Sequence, residues 1–253
     1  MKLARPKWTE RFKISMTAIS FFAVVTFTTL PLFAGVNPDG SYSHSIPIAM
    51  PPGTAGVMPK LSLNYNSNGQ NGLLGVGWSL SGLPHITRMN WGNGINYSGS
   101  DTYAFSGCGR LVDVSGNKTE YRCAEGDVRA RFVPEGTCGD GPAAWRMHDN
   151  GGNQMWFSTG DLGNARVDAG TGTATCSKGA KAWLFARMTD SSGNYYNVGY
   201  EIVSDVPYPT IIQYTQGNGQ SVFRTVEFTY NTGRTDNPAY VMGGVTSTMT
   251  QWL

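Results

Sequence analysis

The sequence predicts an all-β fold in which antiparallel hairpins form a curved sheet, and three observations carry this prediction. Glycine accounts for 33 of the 253 residues, while charged residues make up only 14% and aromatic residues 12%. Short segments alternate apolar and polar residues between glycine-rich turns. No convincing helical periodicity occurs after residue 34. This composition excludes a charged disordered chain, a coiled coil and, because the glycines lack a three-residue period, collagen.

The first 34 residues are predicted to be a signal peptide, including a signal helix, because a basic end precedes an apolar segment and a small residue. No charged residue occurs from Ile14 to Ala34. An uncleaved membrane anchor is the alternative. Cleavage removes five of 19 basic and one of 17 acidic residues, so the exported chain carries 14 and 16. We therefore expect a secreted protein, extracellular or periplasmic, with no basic surface for nucleic acid and no membrane span after cleavage.

Four cysteines, an even number, lie in the exported part: Cys108, Cys123, Cys138 and Cys176. In an oxidising compartment they predict two disulfides. Three connectivities are possible, and Cys108–Cys123 with Cys138–Cys176 is favoured because both loops are short and not nested. A zinc site is not indicated, since there is no Cys-x-x-Cys spacing and no histidine nearby.

Strands are predicted at Ser41–Ile48 and Lys60–Tyr65, separated by a Pro-Pro-Gly segment that cannot continue a strand. Five glycines between residues 69 and 82 indicate sharp turns or close approach of backbones. Further strands are predicted at Thr210–Tyr214 and Val222–Tyr230. Residues 231–253 show no closing element, so the fold is expected to be incomplete within this chain.

The pattern Asp-x-x-Gly-Asn occurs three times between alternating segments, and each copy predicts a β-hairpin. Asp initiates a type I turn, and the glycine takes the left-handed conformation that closes a three-residue loop. A two-residue loop at Ser115-Gly116 would place Cys108 directly opposite Cys123. A three-residue loop would place them on opposite faces of the hairpin, which one bulge near Gly107 or Gly109 would correct. The turn residues are Asp113, Gly116, Asn117, Asp149, Gly152, Asn153, Asp190, Gly193 and Asn194.

Motifs for catalysis are incomplete, and the sequence predicts neither an enzyme nor a bound cofactor or metal. His44, His85 and His148 are scattered singly, and the His-Glu-x-x-His, Gly-x-Ser-x-Gly and dinucleotide-binding patterns are absent. The Asp-x-x-Gly-Asn segments lack the ligand spacing of calcium loops. Tryptophans could stack on sugar rings, but most are expected in the core. Those considered are Trp78, Trp91, Trp145, Trp156 and Trp183.

A chain of motifs between residues 35 and 88 carries a specific resemblance. The motifs are Gly-x-Tyr-x-x-x-Ile-Pro-Ile, Pro-Pro-Gly, Pro-x-Leu-Ser-Leu-x-Tyr-Asn-Ser and Asn-Gly-x-x-Gly-x-Gly-Trp-x-Leu. This segment resembles the N-terminus of the Salmonella virulence plasmid B protein (SpvB) family, which includes the B component of insecticidal toxin complexes (TcdB-like) and is related to Rhs/YD-repeat proteins. The residues singled out are Tyr42, Ile46, Pro47, Ile48, Pro51, Pro52, Gly53, Pro59, Tyr65, Asn66, Asn71, Gly72, Gly75, Gly77, Trp78 and Arg88.

The resemblance implies that residues 35–253 are one β-sheet region at the start of a larger shell. In that family the shell is completed by a propeller and a partner chain, and it encloses a toxic polypeptide. The implied role is a secreted, virulence-associated and non-catalytic scaffold, because this chain has no Glu-x-Glu pair for ADP-ribosyl transfer. Its expected partners are the remainder of a toxin or Rhs-type shell, or a partner toxin chain, and exposed sheet edges are expected to allow self-association. The alternative is a secreted carbohydrate-binding or adhesive β module.

Overall fold

The protein is described here from a computed structural model, which covers residues 10–14, 34–126, 128–170, 176, 178–217, 219 and 221–253. Over these residues it confirms the all-β prediction, with one short 3-10 turn at Thr54–Gly56. The first strands are β1 (Glu10–Ile14), β2 (Ala34–Val36), β3 (Tyr42–Pro47), β4 (Ser62–Asn66), β5 (Asn71–Gly72), β6 (Gly75–Val76), β7 (Trp78–Ser81), β8 (His85–Met89), β9 (Thr102–Phe105), β10 (Gly109–Asp113), β11 (Tyr121–Cys123) and β12 (Arg131–Glu135).

The second half of the chain contains the longest strands. They are β13 (Ala144–His148), β14 (Gln154–Phe157), β15 (Thr159–Gly160), β16 (Gly163–Asn164), β17 (Arg166–Asp168), β18 (Ala180–Thr189), β19 (Tyr195–Val203), β20 (Val206–Gln216), β21 (Arg224–Phe228), β22 (Ala239–Met242) and β23 (Val245–Thr248). The four strands predicted from the alternating pattern correspond to β3, β4, part of β20 and β21.

Eight antiparallel strands, β8 to β14 and β18, close into a barrel. Closure depends on β18, which is long enough to have two partners at different heights. Trp183 in its first half faces Ile86 of β8, and Met188 in its second half faces Met155 of β14. The sequence predicted a curved sheet, and the structure shows that the curvature continues until the first and last strands meet.

Aromatic side chains fill the barrel. Trp145 and Trp183 are both fully buried, with ring centroids 5.9 Å apart, and Tyr103 packs edge-on against both at 4.8 and 5.4 Å. Phe105 and Phe132 extend the cluster at 5.1 Å. Such edge-to-face packing is favourable beyond the area it buries, and eight strands leave an interior that side chains can fill.

β18 also extends the sheet beyond the barrel, because its last residues pair with β14 on one side and with β19 on the other. The order continues β19, β20, β21 and β1. Pairing with β1 is parallel, and Glu10–Ile14 is therefore a strand and does not form part of the predicted signal helix. These five residues pair with the side of β21 that faces away from β20. The other predictions for this region, cleavage and the alternative membrane anchor, concern mainly residues 1–9 and 15–33, which lie outside the described residues, and they stay predictions.

The N-terminal part forms a separate small sheet of β2, β3, β4 and β7 in that order. Short two-stranded ribbons join β5 with β6, β15 with β16, and β22 with β23. The last ribbon corrects the expectation that residues 231–253 lack a closing element. Asn231 and Trp252 exchange backbone hydrogen bonds of 2.9 and 3.0 Å, and the Leu253 N–H donates to the Leu73 carbonyl at 2.9 Å. The chain end thus returns to the turn between β5 and β6.

Two of the three predicted hairpins have the expected three-residue loop. Asp149 N–H donates to Asn153 and Asp190 N–H to Asn194, and Gly152 and Gly193 have φ of +79° and +83°. The first hairpin differs, since Val114 pairs with Glu120 and five residues form its loop. Its register places Leu111, and not Cys108, opposite Cys123. Cys108 lies instead in the turn between β9 and β10.

Candidate functional site

The family-like motif residues of β3, β4 and β7 form a sheet with two unlike faces. One face carries a row of aromatic rings, in which Tyr65 lies 6.3 Å from Tyr42 and 5.3 Å from Trp78. The opposite face carries small polar side chains. Ser45 Oγ donates to Asn64 Oδ1 at 2.6 Å, and Asn64 Nδ2 donates to Ser81 Oγ at 2.7 Å. The strict alternation of the two residue classes places them on opposite faces.

Glycines fix the loop that follows β4. Gly77 has φ of +80°, and a Cβ there would lie 2.6 Å from the Tyr65 ring and 2.8 Å from the Asn66 carbonyl. Gly69 is equally confined, with the Gly77 Cα at 2.9 Å from its would-be Cβ. Gly72 and Gly75 pair across the small β5–β6 hairpin. The glycine density seen in the sequence therefore marks close backbone approach.

The proline motif connects the small sheet to the rest of the molecule. Pro47 is the last residue of β3, and the Ile48 N–H donates to the Leu61 carbonyl at 2.9 Å. The Pro51 carbonyl accepts a hydrogen bond from the Tyr214 hydroxyl at 3.2 Å. Gly53 is confined by the Val57 carbonyl, only 2.0 Å from a Cβ placed there. Pro52 is exposed and Pro59 buried.

A cleft of about 560 Å³ opens between this segment and the Asp190 hairpin. Phe185, Met188 and Tyr196 are among its lining residues, together with Lys60 and Asp190. The Asp190 carboxylate accepts hydrogen bonds from Asn194 within the turn, which lower its pKa. It is therefore an ionised turn residue that is already engaged by the backbone, and the lining is otherwise largely apolar.

Arg88, the last motif residue, is buried at one end of the barrel. Its Nη1 lies 3.2 Å from Asp101 Oδ2, and both side chains are fully buried. Its Nε donates to the Ala180 carbonyl at 2.9 Å. Gly141 leaves the space for the guanidinium, because a Cβ there would lie 2.3 Å from Nη2. Arg88 therefore links the loop that precedes β9 to the start of β18 at this end of the barrel.

Arg234 forms a second buried arginine cluster, which we call the clasp. Its guanidinium donates to Asp236 at 2.7 Å, to Asn71 Oδ1 at 2.7 Å and to the Gly72 carbonyl at 2.9 Å, and it stacks 3.8 Å from the Trp252 ring centroid. The hydrogen bonds from Arg234, and then from Asn71, hold the pKa of Asp236 at about 2. The clasp ties the glycine-rich loop to the C-terminal ribbon.

The three turn motifs use their aspartates in two ways. Asp149 and Asp190 each accept backbone N–H groups and the side-chain amide of the asparagine four residues later, at 2.7 and 2.9 Å. Asp113 instead binds Ser115 and the Lys118 N–H, and these bonds lower its pKa. Gly116 has φ of +75°, while Asn117 accepts a hydrogen bond from Thr119. All three carboxylates therefore stabilise the loops in which they lie.

Both disulfides have the connectivity that the sequence favoured, Cys108–Cys123 and Cys138–Cys176. Among the described residues, the possible metal-ligand atoms of Cys138, Asp168 and Cys176 lie within 4.8 Å of one another. The residues do not fit a metal, because the two sulfurs are bonded to each other and Arg166 pairs with Asp168 at 2.7 Å.

The tryptophans divide between core and surface. Trp145 and Trp183 are buried, Trp78 packs on Tyr65, and Trp156 lies within 5.6 Å of two arginine guanidinium groups. Trp91 is 70% exposed. It is therefore the tryptophan among the five on which the carbohydrate-binding alternative depends.

Sequence reasoning missed Lys181, a buried cation. Its Nζ donates to Ser247 Oγ at 2.6 Å and lies 3.7 Å from Asp205, while burial lowers its pKa. The signal was a lone lysine in the otherwise apolar segment Ala180–Ala186 of β18. Its partners come from the β19–β20 turn and from β23, so it holds the C-terminal ribbon in place.

Apolar side chains remain exposed at the outer edge of the small sheet. Val36, Tyr42 and Ile46 are 76%, 44% and 40% exposed, and they share one face because Val36 faces Tyr42 across β2 and β3. An exposed patch at a strand edge is typical of a surface that pairs with further chain. Within the described residues, no helix is long and apolar enough to cross a bilayer.

The sequence matches the family described as Salmonella virulence plasmid 65kDa B protein over residues 36–221. A search of curated proteins found no match.

Solved structures share the fold at low sequence identity. The structure of TcdB2-TccC3 matches with a TM-score of 0.68 and 16% identity, over 93% of this chain and 14% of that one. The N-terminal domain of effector protein SpvB from Salmonella typhimurium strain LT2 matches with a TM-score of 0.60 and 18% identity, over 90% and 86%. The Photorhabdus luminescens Tc holotoxin pore matches with 0.55 and 19%, over 76% and 10%.

Proposed function

Since the chain belongs to the Salmonella virulence plasmid 65kDa B protein family, we propose that it is a secreted, non-catalytic scaffold, the N-terminal part of a β-sheet shell that encloses a toxic polypeptide. The observation that carries the proposal is the match of 93% of this chain to only 14% of the TcdB2-TccC3 chain. A fold of this kind occurs there as a small part of a much larger molecule.

The described geometry supports a structural role. The barrel interior is filled by aromatic rings such as Trp145 and Trp183. The buried arginines Arg88 and Arg234 bind backbone carbonyls and acids of their own chain. The exposed apolar residues Val36, Tyr42 and Ile46 offer a surface for further chain. These features favour assembly over turnover of a small substrate.

Protease protection tests the proposal. The full chain would be secreted from its native host, purified by size, and treated with a protease before and after denaturation. We expect particles larger than a monomer that hold a second polypeptide, which becomes digestible only after denaturation. A monodisperse monomer that protects no other chain would contradict enclosure.

The exposed Trp91 favours one second candidate, a carbohydrate-binding or adhesive module. Aromatic faces in water stack well on sugar rings. Glycan binding that Trp91→Ala abolishes, and that Val241→Ala at another exposed apolar site leaves intact, would support it. A glycan array on which the protein shows no binding would contradict this candidate function.

A further inference from the structure

The outer side of β21 binds a strand that is expected to be lost on export. β21 pairs with β20 on its inner side, from Ile211 opposite Glu227 to Tyr214 opposite Arg224. On its outer side, β1 pairs with it in parallel over five consecutive positions. β1 lies within the predicted signal peptide. Cleavage at residue 34 would therefore remove the outer neighbour of a strand that is otherwise firmly built into the sheet.

An open strand edge presents backbone N–H and C=O groups to any extended chain of suitable sequence. β21 is well placed to keep its shape when β1 leaves, because Val226 and Phe228 belong to the main hydrophobic core and are 2% and 7% exposed. Phe223, just before the strand, is 46% exposed. The edge would remain ordered and gain an accessible backbone.

The register of β1 indicates which sequence the edge accepts. It places Glu10 opposite Arg224 and Lys13 opposite Glu227, while Phe12 faces Val226. The backbone register thus pairs each charged position of β21 with a residue whose charge has the opposite sign, and an apolar position with an apolar residue. Facing pairs of this kind stabilise neighbouring strands, and like charges at the same positions destabilise them.

We propose that, after export, the outer edge of β21 binds an extended segment of a partner polypeptide as a parallel strand in the place of β1. The segment carries an acidic residue at its first position, a basic residue at its fourth, and apolar residues at its third and fifth. This inference deepens the proposed function, on which it rests, by naming one surface through which the scaffold joins the next chain.

The test uses the full chain with a protease site inserted after Ala34, so that one folded molecule is compared before and after cleavage. The probe is a fluorescent peptide with the sequence of residues 7–15, and binding is followed by anisotropy. We expect saturable binding only after cleavage and removal of the leader. Equal binding before and after cleavage, or none after it, would overturn the proposal. Unchanged thermal melting of the cleaved chain serves as the folding control.

Variant peptides test the strand geometry. Phe12→Pro should weaken binding at least tenfold, since proline lacks the N–H of a ladder position. The double exchange Glu10→Lys with Lys13→Glu should weaken it several-fold, with the composition unchanged. A photoreactive group on the first strand residue should label β21 near Arg224. Labelling near Phe228 would show an antiparallel strand and overturn the proposal, as would a dimer that occupies the edge with a second copy.

The two proposals fail separately. Protease-protected assemblies without peptide binding at the edge would leave the scaffold function standing and remove the β21 inference. Peptide binding by a chain that stays monomeric in its native host would support the β21 inference and contradict the scaffold function.

Discussion

The barrel and the small sheet are stabilised by different means. The barrel surrounds a cluster of buried aromatic rings, and both disulfides attach to its strands or to the turns beside them. The small sheet has neither. It is held by glycines that allow backbones to touch, by a ladder of serine and asparagine side chains, and by the Arg234 clasp. The barrel depends on burial, whereas the small sheet depends on local fit.

This difference explains why the small sheet carries the recognisable motif. Many apolar residues can fill a core if volume and pattern are kept. At Gly77 the φ angle is positive, and a Cβ would lie 2.8 Å from the Asn66 carbonyl oxygen, so this position accommodates glycine and few other residues. Local fit restricts residue identity more tightly than burial does, so a short segment of the small sheet is more distinctive than the whole barrel.

The largest effect is expected in the barrel core. Trp145→Ala should lower the free energy of unfolding by about 3–5 kcal/mol, because it empties a fully buried site between Tyr103, Tyr121 and Trp183. Trp91→Ala, at an exposed position, should change it by about 0.5 kcal/mol or less. Chemical denaturation measures both. Similar losses for the two tryptophans would refute the burial argument.

The disulfides should differ from each other. Replacing Cys138 and Cys176 by serine opens a separation of 38 residues, and replacing Cys108 and Cys123 opens one of 15. Chain entropy predicts losses of about 4 and about 3 kcal/mol, in that order. Denaturation of the two double variants under the same conditions decides the ranking, and the reverse order would show that native contacts outweigh loop closure.

A matched pair of glycines tests local fit in the small-sheet region. Gly40 and Gly77 have nearly equal φ, +81° and +80°, but space is open at Gly40 and closed at Gly77. Gly40→Ala should cost about 1 kcal/mol for the left-handed conformation alone. Gly77→Ala should cost about 1–3 kcal/mol more through overpacking. Equal losses in thermal melts would mean that conformation, and not close approach, sets the requirement.

The smallest effect is expected when the clasp is exposed to acidic pH. The pKa of Asp236 is lowered from 3.8 to about 2, so its stabilising contribution is complete above about pH 4 and is lost as the pH falls towards 2. Amide exchange at Asn231 and Trp252 should accelerate over this range while the barrel amides stay protected. Asp236→Asn should remove the pH dependence. A transition centred near pH 3.8 would contradict the ion pair.

Local patterns predicted much of the fold. The alternation in β3, β4 and β21 was read correctly because a strand with one buried face has period two. The Asp149 and Asp190 turns followed from residues that bond their own backbone. The first turn was misjudged, since Ser115 and Lys118 extend the loop around Asp113. The buried Lys181 was missed because its partners, Asp205 and Ser247, are distant in sequence.

The sequence by itself determined the β class, the strands with alternating residues, the glycine-dependent turns and the family motif, because each of these arises from contacts between near neighbours. Only the tertiary structure decided that β18 closes a barrel and extends the sheet beyond it, and that residues 231–253 return to the β5–β6 hairpin through Arg234. These arrangements depend on pairs of segments far apart in the chain, such as Asn71 and Arg234, which are separated by 163 residues. No local pattern of side chains specifies such pairing, and the packing of the whole chain selects it.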